Sequence, residues 1–83
     1  MITMTANKID FSVAGKSIRT LATAYGKQKQ QKCNYIKIVS GTVGVVKCRQ
    51  IKLSDNNEYY FIKFLIEGQT FYCKLARTMI EFI

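Results

Sequence analysis

Aromatic rings and ammonium groups alternate along the C-terminal half of this chain. Tyr59, Phe61, Lys63 and Leu65 occupy every second position, and Tyr72 and Lys74 repeat the spacing. Side chains two apart in a β-strand share a face, so the pattern sets rings and cations side by side on one surface. Tyr35, Lys37 and Lys47, with Lys52 beyond them, extend it if their segments are strands of the same sheet. Such a surface can stack unpaired bases on its rings, for about 1–3 kcal/mol each, while its cations follow the phosphates. The candidate stacking residues are Tyr35, Tyr59, Phe61 and Tyr72. The candidate phosphate contacts beside them are Lys37, Lys47, Arg49, Lys63 and Lys74. Lys16, Arg19, Lys27, Lys29 and Lys32 form a second basic strip, which would add affinity through phosphate without sequence preference.

Covalent and metal chemistry find few residues to work with. The chain has no histidine, the commonest general acid–base group and a principal zinc ligand. Its acids are scattered rather than paired. Cys33, Cys48 and Cys73 are odd in number, widely spaced and form no CxxC, so they read as reduced thiols acting as small core hydrophobes. Gly15-Lys16-Ser17 resembles the end of a phosphate-binding loop, but position 10, where that loop needs glycine, is Asp10. Gly41-Thr42-Val43-Gly44 spells a GxxG, yet it lies between strand-like segments and reads as a turn. The expectation is a non-enzymatic chain with no cofactor and no metal.

The net charge is +8, and its distribution is one-sided. From Phe11 to Ser54 there is no acidic residue, while Asp55, Glu58, Glu67 and Glu81 lie beyond. A field of this kind favours a polyanionic partner. Two functions fit: a small nucleic-acid-binding protein for RNA or DNA, or an inhibitor or adaptor that docks on an acidic surface of a nucleic-acid-processing protein. Neither a leader-like apolar segment nor a run of about 20 apolar residues occurs, so the expectation is a cytoplasmic chain without a membrane partner. An exposed edge strand would offer a route to a dimer; the sequence does not decide it.

The elements that must position these residues read as one domain, residues 1–83, of α+β class. Phe11, Ala14, Ile18, Leu21, Ala22 and Tyr25 recur at helical spacing, which predicts an N-terminal helix. Asp10 or Ser17 would cap it, and Gly26 would stop it. If Ser17 is the cap, residues 8–13 form a short strand. An antiparallel meander of three or four strands follows, over 34–39, 42–53, 58–66 and 69–75. It turns at Ser40-Gly41, Ser54–Asn57 and Glu67-Gly68, with a β-bulge expected near Arg49-Gln50. The helix would pack on Ile36, Ile38, Val46, Cys48, Tyr60, Ile62, Phe64, Phe71, Cys73 and Leu75. Residues 76–83 read as a short helix or a last strand. A small bent barrel is the alternative architecture. If 76–83 is a helix lying across the Tyr/Phe/Lys face, that face becomes a second core layer; otherwise it is an open platform or a protein interface.

Overall fold

In the computed structural model, which describes residues 7–28, 35–54 and 56–83, the chain forms eight strands. They are β1 (Asn7–Asp10), β2 (Ser17–Thr20), β3 (Ala24–Lys27), β4 (Tyr35–Ile38), β5 (Val43–Lys52), β6 (Asn57–Ile66), β7 (Gln69–Ala76) and β8 (Ile80–Phe82). All pairings are antiparallel, and the strand order is β4-β3-β7-β6-β5-β2-β8, with β1 also on β5. The sheet curls into a half-barrel.

The predicted α+β class is therefore wrong, and the bent-barrel alternative fits. No α-helix occurs among the described residues. The stripe that suggested one fails as a core: Phe11 is 68% exposed and Tyr25 61%, and of the six residues only Ile18 is buried in the hydrophobic cluster. Period two wins instead. Ile18 and Thr20 point inward from β2, and Ala24 and Gly26 from β3, with Arg19, Tyr25 and Lys27 between them facing out. β-Branched residues and glycine weaken a helix, and a place in the sheet satisfies the same backbone. Asp10 caps no helix. Its carboxylate accepts the Ser12 N–H at 2.8 Å, closing the turn that ends β1. Ser17 opens β2, and Gly26 is interior to β3.

The C-terminal half follows the predicted meander closely. β6 and β7 join through Glu67-Gly68, both with positive φ (51° and 78°), the backbone of a two-residue hairpin turn. The bulge lies between Val46 and Cys48, not at Arg49-Gln50. It sits where the neighbouring edge changes strand: β1 pairs with Arg49–Lys52 and β2 with Val43–Val45. The intervening turn is pinned to β5 by Gly15 N–H to Val46 O and Val46 N–H to Lys16 O, both 2.9 Å. The bulge inverts the phase of β5, so Val46 faces the core while Cys48 faces away beside Phe61.

Residues 76–83 form neither an α-helix nor a cover. Arg77–Met79 is one 3₁₀ turn, and β8 adds to the edge of β2. Ile80 enters the core, and the Phe82 ring meets Tyr60 edge to face at 5.7 Å. The concave core comprises Ile18, Ile38, Val46, Tyr60, Ile62, Phe64, Leu75 and Ile80, with Cys73 packed against it. Two inward positions must be glycine-sized. A Cβ on Gly44 would lie 2.6 Å from Ile62 Cγ2, and one on Gly26 2.8 Å from Ile38 Cδ1.

Candidate nucleic-acid interface

Sheet register decides which side chains share the convex face. One row runs across five strands as Val45, Lys63, Tyr72, Lys27 and Tyr35. The next pairs Cys48 with Phe61 and Phe61 with Lys74, and the one after it Gln50 with Tyr59 and Tyr59 with Ala76. Ring and cation therefore stand opposite each other repeatedly: Phe61 with Lys74, Lys63 with Tyr72, Tyr72 with Lys27, and Lys27 with Tyr35. Lys37 and Tyr25 form the adjoining row of β3 and β4. Because β8 extends the edge, the last residues leave this face uncovered, which removes the second-core reading.

The rings and ammonium groups are in contact. Lys74 Nζ lies 4.7 Å from the Tyr59 ring centroid and 5.8 Å from that of Phe61. Lys27 Nζ lies 5.8 Å from the Tyr35 ring. A cation held over a ring face gains about 0.5–1 kcal/mol at an exposed site. Between these clusters is an open basin of about 400 Å³ lined by Lys27, Lys47, Phe61, Tyr72, Cys73 and Lys74.

Among the described residues, carboxylates are kept off the part of this face that carries the rings and lysines. Strands β3, β4, β5 and β7 contain none. The one carboxylate of β6, Glu58, faces the concave side, where it and Asp10 bind Arg49 at 3.0 and 2.5 Å. Glu67 lies in the hairpin turn and Glu81 on β8 opposite Arg19.

Most of the candidate contacts from the sequence meet here. Lys27, Tyr35, Lys37, Lys47, Tyr59, Phe61, Lys63, Tyr72 and Lys74 are on the convex face. Arg19 lies at its far border beside Val43 and Glu81. Lys16 is exposed in the turn before β2 and stands apart. Arg49 does not join them, because the bulge turns it to the other side and its guanidinium is held by two carboxylates. Lys29 and Lys32 lie outside the described residues. Tyr25 was missed: assigning it to a helical stripe hid its alternation with Ala24 and Gly26.

Cys73 donates its thiol to the Tyr25 carbonyl at 3.3 Å, and burial pushes its pKa up, so it packs as a neutral thiol. Among the described residues no cluster of three or more metal-ligating side chains occurs, and no helix is long and apolar enough to cross a membrane. The chain matches no protein-family model, no curated protein and no solved structure.

Proposed function

We propose that this protein binds single-stranded nucleic acid, RNA or DNA, across the convex face. The observation that carries the reading is the carboxylate-free alternation of Tyr59, Phe61 and Tyr72 with Lys27, Lys47, Lys63 and Lys74. Rings on an open sheet stack bases without regard to sequence, and lysines beside them neutralise phosphates. A duplex offers the phosphates but keeps its bases stacked, so it uses half of this surface.

The test is a titration of labelled single-stranded RNA, single-stranded DNA and duplex DNA over a range of salt. Single strands should bind most tightly, with log K falling by about 0.7 per phosphate neutralised for each decade of salt. Lys63 and Lys74 are both exposed, so replacing both by Glu should abolish binding and leave the fold intact. Absence of binding to any of the three at low salt, or undiminished binding by the double variant, sinks the reading.

A second reading has its own observation. Leu65 is 71% exposed and Val43 53%, and both lie on this face beyond the lysines, where a protein partner would bury them. On that reading the chain is an inhibitor or adaptor on an acidic protein surface. Capture of a partner from lysate that survives nuclease treatment distinguishes it.

A further inference from the structure

We infer that the basin seats two consecutive bases of a single strand, on Phe61 and Tyr72, and that Tyr59 takes no base but positions Lys74. This rests on the nucleic-acid reading above. Three observations on the convex face carry it.

The first is occupancy. Lys74 sits over the Tyr59 ring at 4.7 Å and farther from Phe61 at 5.8 Å. The face that Tyr59 would offer a base is taken by an ammonium group, whereas Phe61 and Tyr72 line the basin directly. The second is spacing. Phe61 lies opposite Lys74, two residues from Tyr72 on β7, so the two rings are diagonal neighbours on one face. Diagonal neighbours stand about 7–8 Å apart, within reach of aromatic side chains, and suit successive bases of an extended strand. The third is stoichiometry. Lys27, Lys47 and Lys74 ring the basin, one cation for each of the three phosphates that flank and join two nucleotides. At about 400 Å³ the basin is at the small end of ligand sites, which favours a short unit over a long continuous groove.

Holding Lys74 over Tyr59 restricts a flexible side chain before any strand arrives. Tyr59 then contributes to affinity through Lys74 alone, while Phe61 contributes through the base it carries.

The experiment is a double-mutant cycle, read by anisotropy of labelled oligothymidylates of two to eight nucleotides. With the eight-nucleotide probe, Phe61→Leu should weaken binding about 5- to 100-fold in both the parent and the Lys74→Gln background. Tyr59→Leu should weaken it less, only where Lys74 is present, and have no effect on Lys74→Gln. Tyr59→Phe keeps the ring and should bind as the parent does. Lys74→Gln should lower the salt slope by about 0.7, and affinity should fall sharply only below about four nucleotides, the shortest strand whose linkages supply all of the phosphates that the three lysines meet. Tyr59→Leu costing as much with Lys74 absent as with it present makes Tyr59 a stacking residue and overturns the assignment, with the nucleic-acid reading intact. So does affinity that falls steadily from eight nucleotides downward. If the parent binds no oligothymidylate and no RNA, both fall together.

Discussion

The Arg49 guanidinium meets the Asp10 carboxylate at 2.5 Å, from the strand that pairs beside it, and reaches Glu58 on the other side at 3.0 Å. One cation of β5 is thus neutralised by acids from β1 and β6 on the concave side of the sheet. The bulge between Val46 and Cys48 makes this happen, because without the extra residue Arg49 would face the lysines of the convex surface.

Arg49 should therefore matter for folding and not for binding. Arg49→Gln should lower the urea midpoint while leaving affinity for a single strand and its salt slope unchanged. Arg49→Lys should restore only part of the loss, because a lysine cannot present two nitrogens to two carboxylates in a fixed fork. A change in salt slope for Arg49→Gln equal to that of Lys74→Gln would place the residue on the binding face after all.

The same cluster gives the fold an acid limit. Hydrogen bonds from Ser12 chiefly, and then Arg49, hold the Asp10 carboxyl below its ordinary value. A lowered folded-state pKa stabilises the native state fully above the unfolded-chain value, and that contribution is lost as pH falls through the folded value. Asp10→Asn keeps an oxygen for the Ser12 N–H but cannot ionise. Urea midpoints of the parent and Asp10→Asn should differ at pH 6 and converge toward pH 2. A gap that stays constant over that range would show that ionisation of Asp10 contributes nothing.

Gly44 sets the depth of the core on β5. Its Cβ position lies within 2.6 Å of Ile62 and 2.7 Å of the Phe64 ring, and both neighbours are fully buried. Overpacking of this sort costs about 1–3 kcal/mol. Gly44→Ala should be destabilised by that amount in urea melts, and Gly44→Ala with Ile62→Val should recover part of it, since the valine frees space at the contact. Gly41, with φ of 92° and open space at its Cβ, serves as the contrast: there an alanine loses stability through backbone strain, and no core substitution rescues it.

The meander from Val43 to Ala76 was legible in the sequence because both faces of its strands are patterned. Ile62 and Phe64 alternate with Lys63 and Leu65, and the turn residues Glu67-Gly68 fit only one backbone. The N-terminal third misled for a physical reason. β2 and β3 are four residues each, too short for alternation to outweigh a chance helical spacing. Their inward positions include Thr20 and Gly26, which carry no hydrophobic signal. That the rings and lysines share one face followed from the meander, but whether residues 76–83 cover that face did not, because their short segment fits a helix or a strand. Which way Arg49 faces did not, since one bulged residue inverts every side chain after it and composition does not mark its place.

Thr20 shows how a polar residue came to occupy an inward position. It is 1% exposed. Its hydroxyl donates to the Val39 carbonyl at 3.0 Å and accepts the Thr42 N–H at 3.0 Å. Its backbone also binds the same turn, through Thr20 N–H to Thr42 O and Gly41 N–H to Thr20 O. β4 lies at one end of the sheet order and β2 near the other, so this residue ties the turn after β4 to the opposite end of the half-barrel. Valine at position 20 keeps the shape and removes both side-chain bonds, and a buried polar group stripped of its partner costs about 1–3 kcal/mol. Thr20→Val should lose that much stability, and amide exchange at Thr42 should accelerate more than at β6 positions. Thr20→Ser, which keeps the hydroxyl and loses a methyl, should retain the Thr42 protection. Equal exchange rates at Thr42 in the valine and serine variants would mean that packing, not the hydroxyl, holds the turn.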